Sequence, residues 1–317
     1  VSNLFVEKTK LQMTIFEAKN FIAQKIKNVS RTPFLDAEIF LRNVLGKDKT
    51  FILLNKDFAL DESQEKKIIE WTREREQGLA VAYIVGKKEF FGYNFFVNQN
   101  VLLPKPDTEI LVSRAVEIIS EKISANENSI LTVCDMCAGS GCIALSVLRT
   151  LADDERIPFE RLPQFALVDI SRTALDVAKK NAESLLRGAE ISRVKFIQSN
   201  LFEAVPFSFD VILANPPYVP HEEARALLAD GRGEPLLALD GDISENGDFS
   251  GTDDGLEVAR RLALEAKNHL SPNGIFLMET GEYNADAAAD FLRLNNFRDI
   301  KIERDLEGQK RVVIAGV

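Results

Sequence analysis

The chain of 317 residues is predicted to be an α/β protein: a mostly parallel sheet with an antiparallel C-terminal edge hairpin, preceded by an N-terminal helical bundle and a β-hairpin linker. Three observations predict it. Residues 14–76 place apolar side chains at helical spacing, residues 81–103 switch to β-branched and aromatic residues broken by Gly86, Gly92 and Asn94, and from Ile130 onward short apolar runs alternate with amphipathic segments. Such alternation means a parallel sheet covered by helices on both faces. The boundaries fall at 1–79 for the bundle, 80–106 for the linker and 107–317 for the sheet domain.

In the bundle, Thr14 opens a helix through Ile15, Phe16, Phe21, Ile22 and Ile26. Thr32 is placed to cap a second helix with Pro33 at its first position and Gly46 at its end, because proline lacks only an N–H that would be orphaned there and glycine adopts the left-handed stop. Asp61 caps a third, running to Gly78. A hairpin is expected from Val81 to Leu103, ended by Pro104 and Pro106, after which Asp107-Thr108-Glu109 opens another helix. The strands Ile130–Asp135, Phe165–Asp169, Val194–Gln198, Val211–Ala214 and Ile275–Glu279 follow, separated by helices from Cys142, from Thr173 and over 256–270. After a helix near 285–294, the runs 300–304 and 311–315 pair as the edge hairpin. The Gly/Asp/Ser-rich stretch from Asp240 to Asp254 reads as a mobile surface loop, with a lid over the substrate mouth as the alternative.

Bulk properties exclude several classes. No apolar run approaches the roughly 18 residues of a membrane span, and Lys8 and Lys10 are not followed by the apolar block of a secretory signal. A cytoplasmic protein, expected to be monomeric, is the reading. Cys134, Cys137 and Cys142 are an odd set without paired histidines nearby, which suits small packed residues in a reducing compartment better than a disulfide or metal site. No metal is expected. Residues 1–80 carry 14 Lys and Arg against 12 Asp and Glu, and the rest 25 against 37, so the net charge of −10 splits as +2 and −12. Phosphate-gripping proteins show a basic stripe, and none is visible, which weighs against direct nucleic-acid binding.

The chemistry lies at the carboxyl ends of the strands, where open α/β sheets bind ligands. Cys137-Ala138-Gly139-Ser140-Gly141 joins a strand to a helix, and alone serves a cofactor or a plain tight turn equally well. Asp169 ends the next strand, where a carboxylate can accept both ribose hydroxyl protons; a dehydrogenase fits this pair as well as a methyltransferase. Asn200, with Leu201, follows the third strand, and its amide reads either as an adenine contact or as a turn residue. Asn215-Pro216-Pro217-Tyr218 after the fourth strand decides for a methyltransferase. A planar nitrogen with two N–H donors can be held by the Asn215 amide oxygen and the Pro216 carbonyl, with Pro217 and Tyr218 stacked on the flat target group. Orientation then supplies the catalysis that no strong base is present to give.

These motifs, with Asp36-Ala37-Glu38, Tyr83-Ile84-Val85-Gly86, Glu89-Phe90, Leu103 to Glu109, Glu234-Pro235 and Glu279-Thr280-Gly281, resemble the release-factor-specific protein-(glutamine-N5) methyltransferases, the HemK/PrmC family. The resemblance spans nearly the whole chain. It implies a class I, Rossmann-like methyltransferase sheet and transfer of methyl from S-adenosylmethionine to the glutamine amide of the Gly-Gly-Gln motif of peptide chain release factors. It also implies that the N-terminal bundle docks the release factor, that Cys137 to Gly141, Asp169, Asn200, Leu201 and Asn215 line the cofactor site, and that Asn215 to Tyr218 bind the glutamine. Cys137 replaces the first glycine of the family's turn, a substitution expected to fit if its φ is negative. Lys105 stands where arginine is usual, and Ala80 where proline is usual. Two rival readings stand beside this one: a nucleic-acid methyltransferase acting on a flipped adenine or guanine amine, and a non-catalytic translation-factor binding protein, which would have no need of the tetrad.

Overall fold

A computed structural model describes residues 12–125, 129–229, 233–244 and 246–317, so Lys8, Lys10 and part of the 240–254 loop lie outside the described residues. The chain forms two compact units that divide at Val85 and Gly86.

The first unit holds α1 (Ile15–Ile26), α2 (Pro33–Leu45), α3 (Lys49–Leu54), α4 (Glu62–Glu76) and α5 (Val81–Val85). Thr14 and Asp61 each close a reciprocal capping box, with Glu17 and Gln64, satisfying two otherwise orphaned donors per helix start. Thr32 precedes α2 without a side-chain cap, contrary to expectation; its own N–H is taken by the Ser30 hydroxyl at 3.1 Å. Gly46 ends α2 at φ 62°, as its position requires. Ile15, Ile22, Ile26, Phe40, Leu41 and Ile68 are buried together, with Phe40 edge-on to Trp71. Val81–Val85, expected as strand, is one helical turn whose Tyr83 and Ile84 N–H groups bond the Ala80 carbonyl. A five-residue apolar run has no periodicity long enough to separate the two states.

The second unit begins with the hairpin β1 (Lys87–Phe90) and β2 (Tyr93–Phe96), followed by α6 (Glu109–Ala125). It continues through β3 (Thr132–Met136), α7 (Cys142–Asp153), β4 (Gln164–Asp169), α8 (Arg172–Leu185), β5 (Val194–Gln198) and β6 (Phe209–Ala214). Then come α9 (His221–Ala229), α10 (Glu257–His269), β7 (Leu270–Glu279), α11 (Ala285–Leu294), β8 (Arg298–Arg304) and β9 (Lys310–Gly316). The seven-stranded sheet has the order β5-β4-β3-β6-β7-β9-β8. β5 through β7 pair parallel, while β9 pairs antiparallel with both β7 and β8. The C-terminal hairpin is therefore the sheet edge, as expected. The strand order reverses at β3, since the chain runs outward to β5 and returns to β6 on its other side. The carboxyl ends of β5, β4, β3 and β6 thus stand in a row, which is where such sheets bind ligands.

Candidate active site

A cleft of about 1220 Å3, open to solvent, runs along that row of strand ends. Cys137, Ala138, Gly139 and Ser140 line it after β3, Asp169 after β4, Asn200 and Leu201 after β5, and Asn215 and Pro217 after β6. Gly141, Pro216 and Tyr218 are not among the lining residues.

The glycine turn is held by its own backbone and by Asp169. Ala138 N–H donates to the Val168 carbonyl at 3.0 Å, and Gly141 N–H to the Ala138 carbonyl at 2.7 Å. Asp169 Oδ2 accepts from Gly139 N–H and Oδ1 from Ser171 N–H, both at 2.8 Å. Burial raises the Asp169 pKa, and the two amide donors offset part of the rise. Gly141 serves packing: at φ 75°, a Cβ there would stand 3.0 Å from Leu167 and 3.2 Å from Ala178. Asn181, fully buried, fastens β2 to the turn: its Nδ2 donates to the carbonyls of Phe96 and Ser140, and its Oδ1 accepts from Phe96 N–H. A lone asparagine inside a helix carried no sequence signal for this.

Cys137 departs from expectation, because its φ is +61° rather than negative. The left-handed conformation costs an L residue about 1–2 kcal/mol, and glycine gives back roughly 0.5–1 kcal/mol through its greater unfolded-state freedom. Cys137→Gly should therefore stabilise the fold by about 0.5–1 kcal/mol, read as a higher urea midpoint. A lower midpoint would mean that thiol packing outweighs the strain. The Cys137 thiol is pushed up by burial and by the charge of Asp169, while burial takes Cys142 to about 12, so both remain protonated at neutral pH. Leu201 is also left-handed, at φ 45°, and buried. Strain of this kind gathers where structure is held for a ligand. The neighbouring Asn200 side chain donates to Glu203 at 3.1 Å.

After β6 the tetrad is fixed from behind. Asn215 Nδ2 donates to Thr108 Oγ1 at 3.4 Å, so the amide oxygen remains as an acceptor. The Tyr218 hydroxyl donates to Glu279 Oε1 at 3.2 Å, and the Tyr218 carbonyl accepts from Asn284 Nδ2 at 3.1 Å and from the Tyr283 hydroxyl at 3.2 Å. Glu279 is 1% exposed; burial lifts its carboxyl to about 7, and the Thr108 and Tyr218 hydroxyls offset part of that rise. Its Oε2 has no hydrogen-bond partner among the described residues. Thr108, itself buried, lies between Asn215 and this carboxylate.

The 240–254 stretch, read as a mobile surface loop or a lid, is tied down at its ends, while residues 246–249 and 251–254 are exposed. Asp240 and Asp242 are fully buried. Asp240 accepts from Asp242 N–H and pairs with His221 Nδ1 at 2.6 Å, and Asp242 accepts from Gly255 N–H at 2.8 Å. A Cβ at Gly241 would meet the Gly255 carbonyl at 2.2 Å and that of Pro217 at 2.9 Å, and one at Gly255 would meet the Tyr218 carbonyl at 2.2 Å. Only glycines allow this approach. The segment braces the tetrad, and its Ile243, Ser244 and Gly247 wall the cleft. Lys105 also lines the cleft and forms an ion pair at 2.7 Å with the buried Glu234.

Among known proteins, residues 17–86 match the model of the PrmC N-terminal domain and residues 112–231 that of the methyltransferase small domain. The release factor glutamine methyltransferase of Clostridium acetobutylicum is 33% identical over 88% of this chain and 90% of its own. The protein of the same name from Coxiella burnetii is 32% identical over 96% of this chain and 99% of its own. Of solved structures, the hMettl16 catalytic domain in complex with MAT2A 3′UTR hairpin 6 superposes with a TM-score of 0.50 at 16% identity, over 87% of this chain and 91% of that one, a likeness of fold alone. With the sheet order, the cleft and full-length relatives in agreement, the chain belongs to the release factor glutamine methyltransferase family.

Proposed function

We propose that the chain transfers a methyl group from S-adenosylmethionine to the side-chain amide nitrogen of the glutamine in the Gly-Gly-Gln motif of release factors. The observation that carries this is the orientation of Asn215: its amide nitrogen is engaged by Thr108, which leaves Oδ1 to accept an N–H at the end of the cleft. The cofactor supplies an electrophilic methyl on a sulfonium. The residues around the cleft suit it: Asp169 retains lone pairs for the ribose hydroxyls after accepting its two amide donors, and the left-handed turn at Cys137 and Gly139 brings backbone close to the ligand.

An amide nitrogen is a poor nucleophile because its lone pair is delocalised. Asn215 Oδ1 and the Pro216 carbonyl accept its two hydrogens, and the buried prolines beside them exclude water. As the nitrogen–methyl bond would form and the sulfonium S–CH3 bond break to leave a neutral thioether, positive charge would pass to nitrogen, so these two acceptors would bind the transition state more tightly than the ground state, and one of the two N–H protons would then be lost to water to give the neutral methylamide. The tetrad's braces (Thr108, Glu279, Asn284 and the Gly241–Gly255 contact) hold this geometry before substrate arrives.

The division into bundle (1–79), linker (80–106) and transferase domain (107–317) gives each part a task, with the bundle docking the release factor. Phe16, Phe34, Leu35, Leu54 and Phe58 are exposed apolar side chains of the first unit and supply surface for a protein partner. The proposed enzyme works in the cytoplasm as a monomer, without direct nucleic-acid contact. The test is methyl transfer from labelled cofactor to an intact release factor and to one whose Gly-Gly-Gln glutamine is replaced by alanine. Label should enter the first alone; label that persists in the second overturns the substrate assignment.

A further inference from the structure

We infer that Glu279 is a positioning residue for the methyl transfer: its carboxylate sets the direction of the Thr108 hydroxyl and, through it, which end of the Asn215 amide faces the substrate. The inference deepens the reading proposed above and rests on it. Glu279 closes β7 behind the tetrad, is buried, and is not among the residues that line the cleft. Its Oε1 accepts from the Tyr218 hydroxyl at 3.2 Å, and Oε2 has no hydrogen-bond partner among the described residues. Arg311 on β9 faces it, but that guanidinium is engaged by Asp305 at 2.8 Å and Asp107 at 3.1 Å. The other titratable groups that face it are Asp107, the Tyr218 hydroxyl and the Cys142 thiol, and burial holds the last two protonated. The Thr108 and Tyr218 hydroxyls do most to favour its ionised form, ahead of Arg311.

The carboxylate reaches the substrate end of the site through one hydroxyl. An ionised carboxyl only accepts, so a hydroxyl that faces it turns its hydrogen toward it. Thr108 has a single hydroxyl hydrogen, and once that points at Glu279, Oγ1 can only accept on its other side. The Asn215 amide meets Oγ1 at 3.4 Å and therefore does so with Nδ2, leaving Oδ1 for an incoming N–H. A protonated Glu279 reverses the relay. It donates to Oγ1, the Thr108 hydrogen is freed for Asn215, and the amide turns Oδ1 inward. Nδ2 would then meet the substrate nitrogen donor to donor. Burial lifts the Glu279 carboxyl to about 7, so the two states exchange in the neutral range.

The test is kcat on an intact release factor across a pH series at saturating cofactor, a condition that removes the contribution of Asp169 to cofactor affinity. In the wild type, kcat should be full above a pKa of about 7 and fall by about tenfold or more as pH drops through it. Glu279→Gln keeps the shape and cannot ionise, so its kcat should be flat through neutrality and about tenfold or more below the wild-type plateau, with S-adenosylhomocysteine affinity unchanged. Thr108→Val, which lacks the hydroxyl, should be flat in the same way, and Thr108→Ser should recover both the rate and the acid limb. Combining Glu279→Gln with Thr108→Val should lower kcat no further than either change alone, as expected of two members of one relay. An acid limb that survives in Glu279→Gln or in Thr108→Val overturns the inference. So does a wild-type profile flat through neutrality, or losses that multiply in the double variant, which mark separate structural roles. If Glu279→Gln does not fold, the two Thr108 variants decide alone. A wild-type chain that leaves an intact release factor unmethylated brings down the proposed function itself.

Discussion

Asn215→Ala should lower kcat on a release factor by about 10²–10³-fold, the loss expected when one hydrogen-bonding group that serves mainly the transition state is removed. S-adenosylhomocysteine should bind the variant as tightly as the wild type, because on the proposed reading the cofactor's polar groups would be served by Asp169 and the glycine turn that it holds. Calorimetry alongside single-turnover methylation reads both quantities. Asn215→Asp sharpens the result. It keeps an acceptor oxygen toward substrate but places a second one against Thr108 Oγ1, where Nδ2 now donates. The Thr108 hydroxyl then has to turn away from the Glu279 carboxylate to donate to the introduced carboxylate, and activity should lie between the alanine variant and wild type. Equal losses of rate and cofactor affinity in Asn215→Ala would make the residue a cofactor ligand and sink its assignment to the substrate nitrogen.

The parts of this site legible in the sequence are those whose chemistry is local. Gly139 and Gly141 after an apolar strand, an acid ending the next strand and a rigid tetrad ending the fourth each announce a position at the sheet edge. The parts that were not legible depend on tertiary neighbours. Thr108 reads as the opening of a helix, and only the fold brings it against Asn215, 107 residues away in sequence. Glu279 reads as a strand end, and Asn181 as a polar residue within a helix. The 240–254 stretch carries the composition of a loose loop, but Gly241 and Gly255 are there because backbone meets backbone behind the tetrad, and Asp240 and Asp242 because the crossing segments of chain need buried acceptors. Composition cannot distinguish glycine used for flexibility from glycine used for close approach. The same limit applies to Cys137, whose left-handed backbone is set by the turn that Asp169 holds rather than by its own preference.

Asp169→Asn should weaken cofactor binding nearly as much as Asp169→Ala, by about a hundredfold or more, since each hydrogen bond to a charged acceptor contributes about 1.5–3 kcal/mol. The reason lies in the direction of the existing bonds. One carboxylate oxygen accepts from Gly139 N–H and the other from Ser171 N–H. An asparagine offers one oxygen and one NH2 group, so whichever way it turns, a donor faces a backbone donor and that contact is lost. The turn that carries Cys137 to Gly141 is then released at the point where it approaches the ligand, and one ribose hydroxyl also loses its acceptor. Acid does to the wild type what asparagine does by substitution, because protonation converts one accepting oxygen to a donor. Burial raises the Asp169 pKa in the free protein, and ribose hydroxyls that donate to the carboxylate favour its ionised form. Linkage therefore runs in one direction: binding is full above the raised pKa and is lost as pH falls through it, earlier than for an ordinary carboxylate. In Asp169→Asn that acid-side loss should be absent, since nothing at the position remains to titrate. Calorimetric affinities for S-adenosylhomocysteine across an acid pH series in both proteins give the answer, and an asparagine variant that binds within a few-fold of wild type would show that the carboxylate is not the acceptor that holds the ribose.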